Sequence, residues 1–485
     1  MGNMSASRRG PESRHRNLKL SPSQLWAGIA VAVPTIAVLA LSLSAIDLAY
    51  LVRAGDDMLR TGHLMRIDSY TFTAFGREWL NQQWGAEILL AAAYRLGGWP
   101  ALVCLRSALI GFLSLFVFLT SRAAGASRRT SSLLTLVAFV AALPGLILRP
   151  QLIGLTLFAL ALWLIATRRA HPRRLLGVPA VTLVWANVHG SFFLAPILLL
   201  LAWLQDRRDG VPGRGRVLSL AAISALATLA NPFGPRVWTY VAGLATNPTI
   251  AKTITEWQPP DVRDPSGAVF FGTVIGVVGL LTLGRRRTAW PVLVSLGVFF
   301  ALGLTATRST LWWYPLAATT SAALIADAPA EGMKTEPRSL AGAAIAASLL
   351  VAAVIFLPWW RTSGSQVDLL DNAPPRLTAE LQRRLEPGSR LFSIQPYASW
   401  FEFELREDPV FVDCRIELFP RSVWREYDVV VLGQQGWQRV LDRWRVDAVV
   451  ATHKYAAGLV PRILADPGWS VAYRGADGYI FLRTP

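Results

Sequence analysis

The stretch SAIDLAYLVRAGDDMLRTG, residues 44–62, decides the reading of this chain. It follows an apolar run from about Leu25 to Ile46 and places a single acid, Asp47, at its end. A run of roughly 18 apolar residues or more crosses the hydrocarbon core of a bilayer. This one is longer than a signal-peptide core and lacks a small-residue cleavage site, which marks a retained span. On a helix at about 100° per residue, Leu48, Leu51, Val52, Met58 and Leu59 share one arc. Arg53, Asp56, Asp57 and Arg60 share the opposite arc. That segregation predicts an amphipathic helix lying in the membrane interface, with Gly62 as its C-cap. Asp47 belongs to neither arc. It has two roles open to it: a helix N-cap accepting backbone N–H bonds, or a carboxylate in a partly dry cavity, with a raised pKa and the capacity of a general base.

Composition agrees with a membrane chain. Of 485 residues, 53% are hydrophobic and only 16% charged, against roughly 25% charged in soluble domains. The net charge of +17 would suit nucleic acid, but its distribution argues for topology and against a nucleic-acid partner. The basic clusters SRRGPESRHRNLK, SRAAGASRR (121–129), TRRAHPRR (167–174), QDRRDGVPGRGR (205–216) and GRRR (284–287) recur at every second junction. Cytoplasmic loops carry such clusters.

The predicted architecture is an α-helical polytopic membrane protein. With a cytoplasmic basic N-terminus (1–24), the spans fall at about 25–46, 99–121, 131–148, 151–167, 175–188, 190–205, 217–230, 267–284, 289–305, 309–326 and 339–359. That is about eleven within a membrane domain of 25–360. Two external loops are long, 47–98 and 231–266, and loops of that length are often functional. Residues 361–485 read differently. RLFSI, PVFVD, DAVVAT, WSVAYR and YIFLR are strand-like, alternating with helix-like ASWFEFEL, SVWREYDVVV, QRVLDRW and GLVPRIL. The pattern predicts an extracytoplasmic α/β domain. It holds no GxGxxG or Walker loop, so nucleotide binding has no support. The chain shows no internal repeat, unlike transporter folds built from inverted repeats. Cys104 and Cys414 are too few and too far apart in sequence to suggest a zinc site or a disulfide.

A first span, then an acid, then an interfacial helix inside a large first external loop resembles the opening of the GT-C glycosyltransferases. In one bacterial GT-C-like branch the first loop reads approximately Asp-Leu-Trp-Trp-His, a Gly, Asp-x-Phe-Ser-Tyr-Thr, Gly-x-x-Trp, and an Asn-Gln-Gln-Trp or His-Glu-Trp. The matching residues here are Asp47, Leu48, Gly55, DSYTFTAFG (Asp68–Gly76), Trp79 and NQQW (Asn81–Trp84). WANVHG (185–190), NPFG (231–234), EWQPP (256–260), TATR before WWYP (305–315) and PVFVDCR are also similar. The Trp-Trp-His is replaced by Ala49, Tyr50 and Leu51, so a histidine with a role there in relatives is missing.

The resemblance implies transfer of a sugar from a polyprenyl-phosphate donor to an extracytoplasmic glycan, lipid or protein, at the bacterial inner membrane. Such chemistry needs a base for the acceptor hydroxyl and donors for the departing phosphate. For the base the candidates are Asp47 and, second, Asp68, whose DSYT context equally makes an Asx turn. Asp56 and Asp57 beside Arg53 and Arg60 read as a solvated ion-pair surface. For the phosphate the candidates are Arg149 in ILRPQL and Arg308 in TATRST, each alone at an external span end; snorkelling to headgroups is the other reading. His189 serves the phosphate or, with Asn187, caps two helix ends. Gln82, Gln83, Glu87 and Glu256 suit sugar hydroxyls or plain loop anchoring. Most of the tryptophans read as interfacial belt residues. Asp413 and Arg415 read as an internal ion pair without chemistry. The only cofactor that clustered acids would hold is a divalent cation, Mg or Mn, and nothing demands one. A lipid or polymer transporter and a non-catalytic scaffold remain the alternative functions.

Overall fold

The computed structural model describes residues 22–247, 250, 254–284, 288–326, 340–361 and 365–484. Most of the basic N-terminal segment and of the GRRR cluster lies outside them.

Each of the eleven expected spans falls on a helix. They are α1 (Pro22–Leu39), the second half of α3 (Trp84–Ala123), α4 (Arg128–Ala142), α5 (Pro150–Ala166), α6 (Gly177–Ala186), α7 (Leu194–Arg208), α8 (Gly215–Ala227), α10 (Pro265–Leu283), α11 (Trp290–Thr305), α12 (Trp313–Ile325) and α13 (Leu340–Ile355). Only α3 and α10, among the described residues, are long and apolar enough to cross a bilayer by length and composition. A 15-residue helix rises only about 22 Å, so helix length alone does not establish the count of eleven. The outward faces are nevertheless apolar: Ile275 is 71% exposed, Leu350 68% and Leu226 65%. Apolar surface so placed fits lipid better than water.

α1 stops at Leu39, earlier than the apolar run does. The carbonyls at and just beyond its end are gathered by one side chain. Arg106, buried on α3, donates to the carbonyls of Val38, Leu41 and Ser42, each at 2.6 Å. Residues 40–47 then run irregularly, and Leu43 bridges to Leu370.

α2 (Leu48–Thr61) forms where predicted. It ends at Gly62, whose left-handed backbone (φ +70°) lets its N–H reach the Met58 carbonyl. Its setting differs from the expectation of a helix lying flat against lipid. Both faces are covered: Leu48 through Gly55 are all buried. One side packs on α3, where a β-carbon at Gly55 would stand 2.0 Å from the Glu87 carbonyl oxygen. The charged side meets other elements. Asp56 pairs with Arg95 and Arg406 at 2.8 Å each, and Asp57 pairs with Arg406 at 3.1 Å. The supposed solvated surface is thus an ion-paired seam against the C-terminal region, because arginines distant in sequence complete it. α3 breaks at Gly97 and Gly98; Gly98 (φ +63°) takes a conformation that favours glycine. Its first half packs on α2 and its second half belongs to the bundle.

The C-terminal region carries a four-stranded sheet, β1 (Leu391–Ser393), β2 (Ala448–Ala451), β3 (Trp469–Gly475) and β4 (Gly478–Arg483), in the order β1-β2-β4-β3. The β1–β2 pair is parallel and the others antiparallel. Flanking helices include α14 (Pro375–Arg384), α15 (Gln395–Glu404), α16 (Arg421–Val431), α17 (Trp437–Arg443) and α18 (Val460–Leu464). Four of the five expected strands form. PVFVD does not; Val410 instead makes single bridges to Thr71 and Leu391. That segment is held between the first loop and the sheet rather than within it.

Candidate active site

Five connections between helices meet at one cavity of about 350 Å³. They alternate along the chain with the basic clusters. Asp47 comes from the junction after α1, Arg149 from that before α5, and His189 from that before α7. Glu256 lies in the second long loop, and Arg308 precedes α12.

Local sequence fixes each side chain. Arg149 precedes Pro150, so its backbone is extended (φ −139°, ψ 164°) and the helix starts at the proline. Glu256 sits in a short turn, Thr255–Trp257. The Gln258 carbonyl then accepts both the backbone N–H (2.8 Å) and the hydroxyl (3.0 Å) of Thr307. This ties the second loop to the turn that carries Arg308.

The charged groups form a ladder. Arg149 Nε donates to Asp47 Oδ1 at 2.8 Å, and Arg149 Nη1 donates to Glu256 Oε2 at 2.7 Å. Arg308 Nη1 reaches Glu256 Oε1 at 3.4 Å, and its Nη2 donates to Gln151 Oε1 at 3.1 Å. The Arg308 guanidinium lies over the Trp257 ring, 4.7 Å from its centre. Two carboxylates and two guanidiniums alternate, so the ladder is neutral in sum. Burial pushes the Glu256 carboxyl up, but the Arg149 and Arg308 charges outweigh it and hold it below the usual carboxylate range.

Asp47 is the residue before α2, yet its side chain makes no capping hydrogen bond. Its carboxylate is turned to Arg149, away from the helix end. His189 and Asn187 do cap as the sequence suggested. His189 Nδ1 accepts the Ser191 backbone N–H at 3.2 Å, which puts the ring proton on Nε2. Asn187 Nδ2 donates to the Leu183 carbonyl at 2.9 Å at the end of α6, and its Oδ1 accepts from the Trp84 indole at 2.9 Å. His189 also lines the cavity, as does Gln83.

Three candidates lie elsewhere. Asp68 is 1% exposed and is filled by partners: the Tyr70 and Thr71 backbone N–H groups, the Thr71 hydroxyl at 2.6 Å, and Arg415 at 2.6 Å. It is the Asx-type turn the sequence allowed, closed by an ion pair, and it does not line the cavity. Gln82 donates to the Ala186 carbonyl at 3.0 Å, and Glu87 accepts from Asn81 at 2.6 Å. Both are buried anchors of the first loop.

The C-terminal region supplies groups that sequence reasoning missed. Cys414, Arg415, Ile416 and Glu417 line the same cavity. Asp413 and Arg415 are ion-paired as expected, but Arg415 also reaches Asp68 and so locks this segment to the first loop. Tyr240 on α9 (Arg236–Thr246) donates to Glu417 Oε1 at 2.8 Å. Glu417 and Tyr240 stand in no short motif, and only tertiary packing brings them to the site.

Among the described residues, no three His, Cys, Asp or Glu side chains come together as a metal-binding group. The two acids of the ladder are both engaged by guanidinium, so this donor set does not fit a Mg or Mn ion.

The fold is that of GT-C glycosyltransferases. The archaeal oligosaccharyltransferase AglB from Archaeoglobus fulgidus, solved with an inhibitory peptide and a dolichol-phosphate, superimposes with TM-score 0.54 at 13% identity, over 95% of this chain and 74% of that one. ArnT from Cupriavidus metallidurans gives 0.53 at 14% identity, over 94% and 97%. The mycobacterial arabinofuranosyltransferase AftD gives 0.59 at 15% identity, over 96% of this chain and 40% of that one. No protein-family model and no curated protein sequence matches the chain.

Proposed function

We propose that this protein is a membrane glycosyltransferase. It takes a sugar from a polyprenyl-phosphate donor and passes it to an extracytoplasmic acceptor at the bacterial inner membrane, with its N-terminus cytoplasmic. The observation that carries this reading is the Asp47–Arg149–Glu256–Arg308 ladder lining one cavity where the span ends meet. The dolichol-phosphate bound by a protein of the same fold supports it.

The chemistry assigns roles as follows. An acceptor hydroxyl oxygen attacks the anomeric carbon, and its proton passes to the Asp47 carboxylate. The bond from the anomeric carbon to the phosphate oxygen breaks, and the phosphate leaves with the electron pair. Arg149 and Arg308 face that developing charge; Arg offers planar, fixed donors suited to phosphate oxygens. Glu256 holds both guanidiniums in position, and Gln151 orients Arg308. No step needs a metal. The test is Asp47→Asn with glycan product measured in membranes. Loss of product is expected, and unchanged product refutes Asp47 as the base.

A further inference from the structure

A second cavity of about 430 Å³ adjoins the first. Tyr240, Leu244 and Glu417 line both. The hydrogen bond from the Tyr240 hydroxyl to Glu417 therefore stands in the wall between the two chambers. We infer that the second chamber receives the acceptor, that the acceptor is a neutral, hydroxyl-rich saccharide, and that the Tyr240–Glu417 pair orients its attacking end toward Asp47. The inference rests on the transfer reading above and names the acceptor class for it.

Three observations select this ligand. First, the chamber opens beside the Arg236–Glu78 pair, 2.8 Å apart, with both side chains more than half exposed. Its mouth faces water, which disfavours a lipid acceptor. Second, its charges are matched internally: Arg236 to Glu78, and Glu417 hydrogen-bonded by Tyr240. An anionic ligand would find no surplus cation there, since Arg149 and Arg308 line the other chamber. Third, the walls combine the apolar Leu80, Leu244 and Leu418 with hydroxyl, carboxyl and guanidinium groups of Thr239, Tyr240, Glu417 and Arg236. An apolar wall flanked by a few convergent polar groups is what orients a polar ligand in a pocket of this size. Burial also pushes the Glu417 carboxyl up from its ordinary value. The carboxyl oxygens and the phenol oxygen together offer acceptors to sugar hydroxyls.

The test is binding of the purified full-length protein to an array of defined neutral, anionic and lipid-linked oligosaccharides, with peptides included. The expected result is retention of neutral oligosaccharides and at least tenfold weaker binding by Tyr240→Phe and by Glu417→Gln. Both variants should keep the wild-type unfolding midpoint. Binding only to anionic glycans, lipids or peptides, or neutral-glycan binding untouched by both substitutions, overturns the inference. If one variant loses its midpoint, the other decides. Binding of a polyprenyl-phosphate sugar without added glycan is measured separately. Its absence refutes the donor reading and leaves the oligosaccharide result to stand or fall alone.

Discussion

Replacing Arg149 with Gln removes the centre rung of the ladder. Two charge-assisted hydrogen bonds are lost, at 2.8 Å to Asp47 and 2.7 Å to Glu256. Bonds to charged groups contribute about 1.5–3 kcal/mol each. Glu256 is about one-third exposed, so water recovers part of its share, and the loss should sit near ~3 kcal/mol, the lower edge of the cost of breaking a buried pair. The pH dependence follows from Glu256, whose carboxyl is held below its ordinary value of 4.5. A depressed folded-state pKa stabilises the fold above the unfolded value, and that stabilisation fades as pH falls through the folded one. The unfolding midpoint of Arg149→Gln should therefore lie below wild type at pH 7, and the gap should narrow below about pH 4.5. In the transfer assay, a phosphate deprived of one guanidinium loses about 2–3 kcal/mol, roughly a 30- to 150-fold fall in kcat/KM. An equal midpoint at pH 7, a gap constant with pH, or unchanged kcat/KM would refute the reasoning.

Other perturbations test the frame around the site. Gly55→Ala puts a methyl 2.0 Å from the Glu87 carbonyl oxygen and 2.8 Å from Ala91; forcing α2 from α3 should cost roughly 3 kcal/mol or more, read as lost folded yield and a lower midpoint. Arg415→Met strands Asp68, Asp413 and Glu402 without their shared cation. A loss of about 3–5 kcal/mol is expected, and limited proteolysis should begin to cut between the first loop and the C-terminal region; a wild-type digestion pattern would count against the clamp. Arg106→Leu uncaps the end of α1, and the loss of three carbonyl partners should lower the midpoint by an amount worth at least about 2 kcal/mol.

Much of the frame was legible because it depends on local pattern. Apolar runs placed the helices, alternating basic clusters ordered the junctions, and Gly62 ended α2. Asp47, Arg149, His189, Glu256 and Arg308 stood out because each is polar at an otherwise apolar span end or in a long loop, and the fold brings all five to one cavity. What escaped depends on long-range packing. The charged face of α2 looked solvated because Arg95 and Arg406, distant in sequence, complete it. Asp68 looked available because its partner Arg415 lies 347 residues away. PVFVD has strand composition, yet its neighbours on either side come from the first loop and β1. Glu417 and Tyr240 meet only through the docking of the C-terminal region on the second loop.

The central claim is that the ladder beside Asp47 receives a lipid-borne phosphate. A structure of the full-length protein determined with added polyprenyl phosphate tests it most directly. The account predicts density for the phosphate within hydrogen-bonding distance of the Arg149 and Arg308 guanidiniums, with the prenyl chain leaving toward the apolar faces of the bundle. A phosphate bound away from both arginines, with the Asp47–Arg149–Glu256 contacts unchanged, would contradict it.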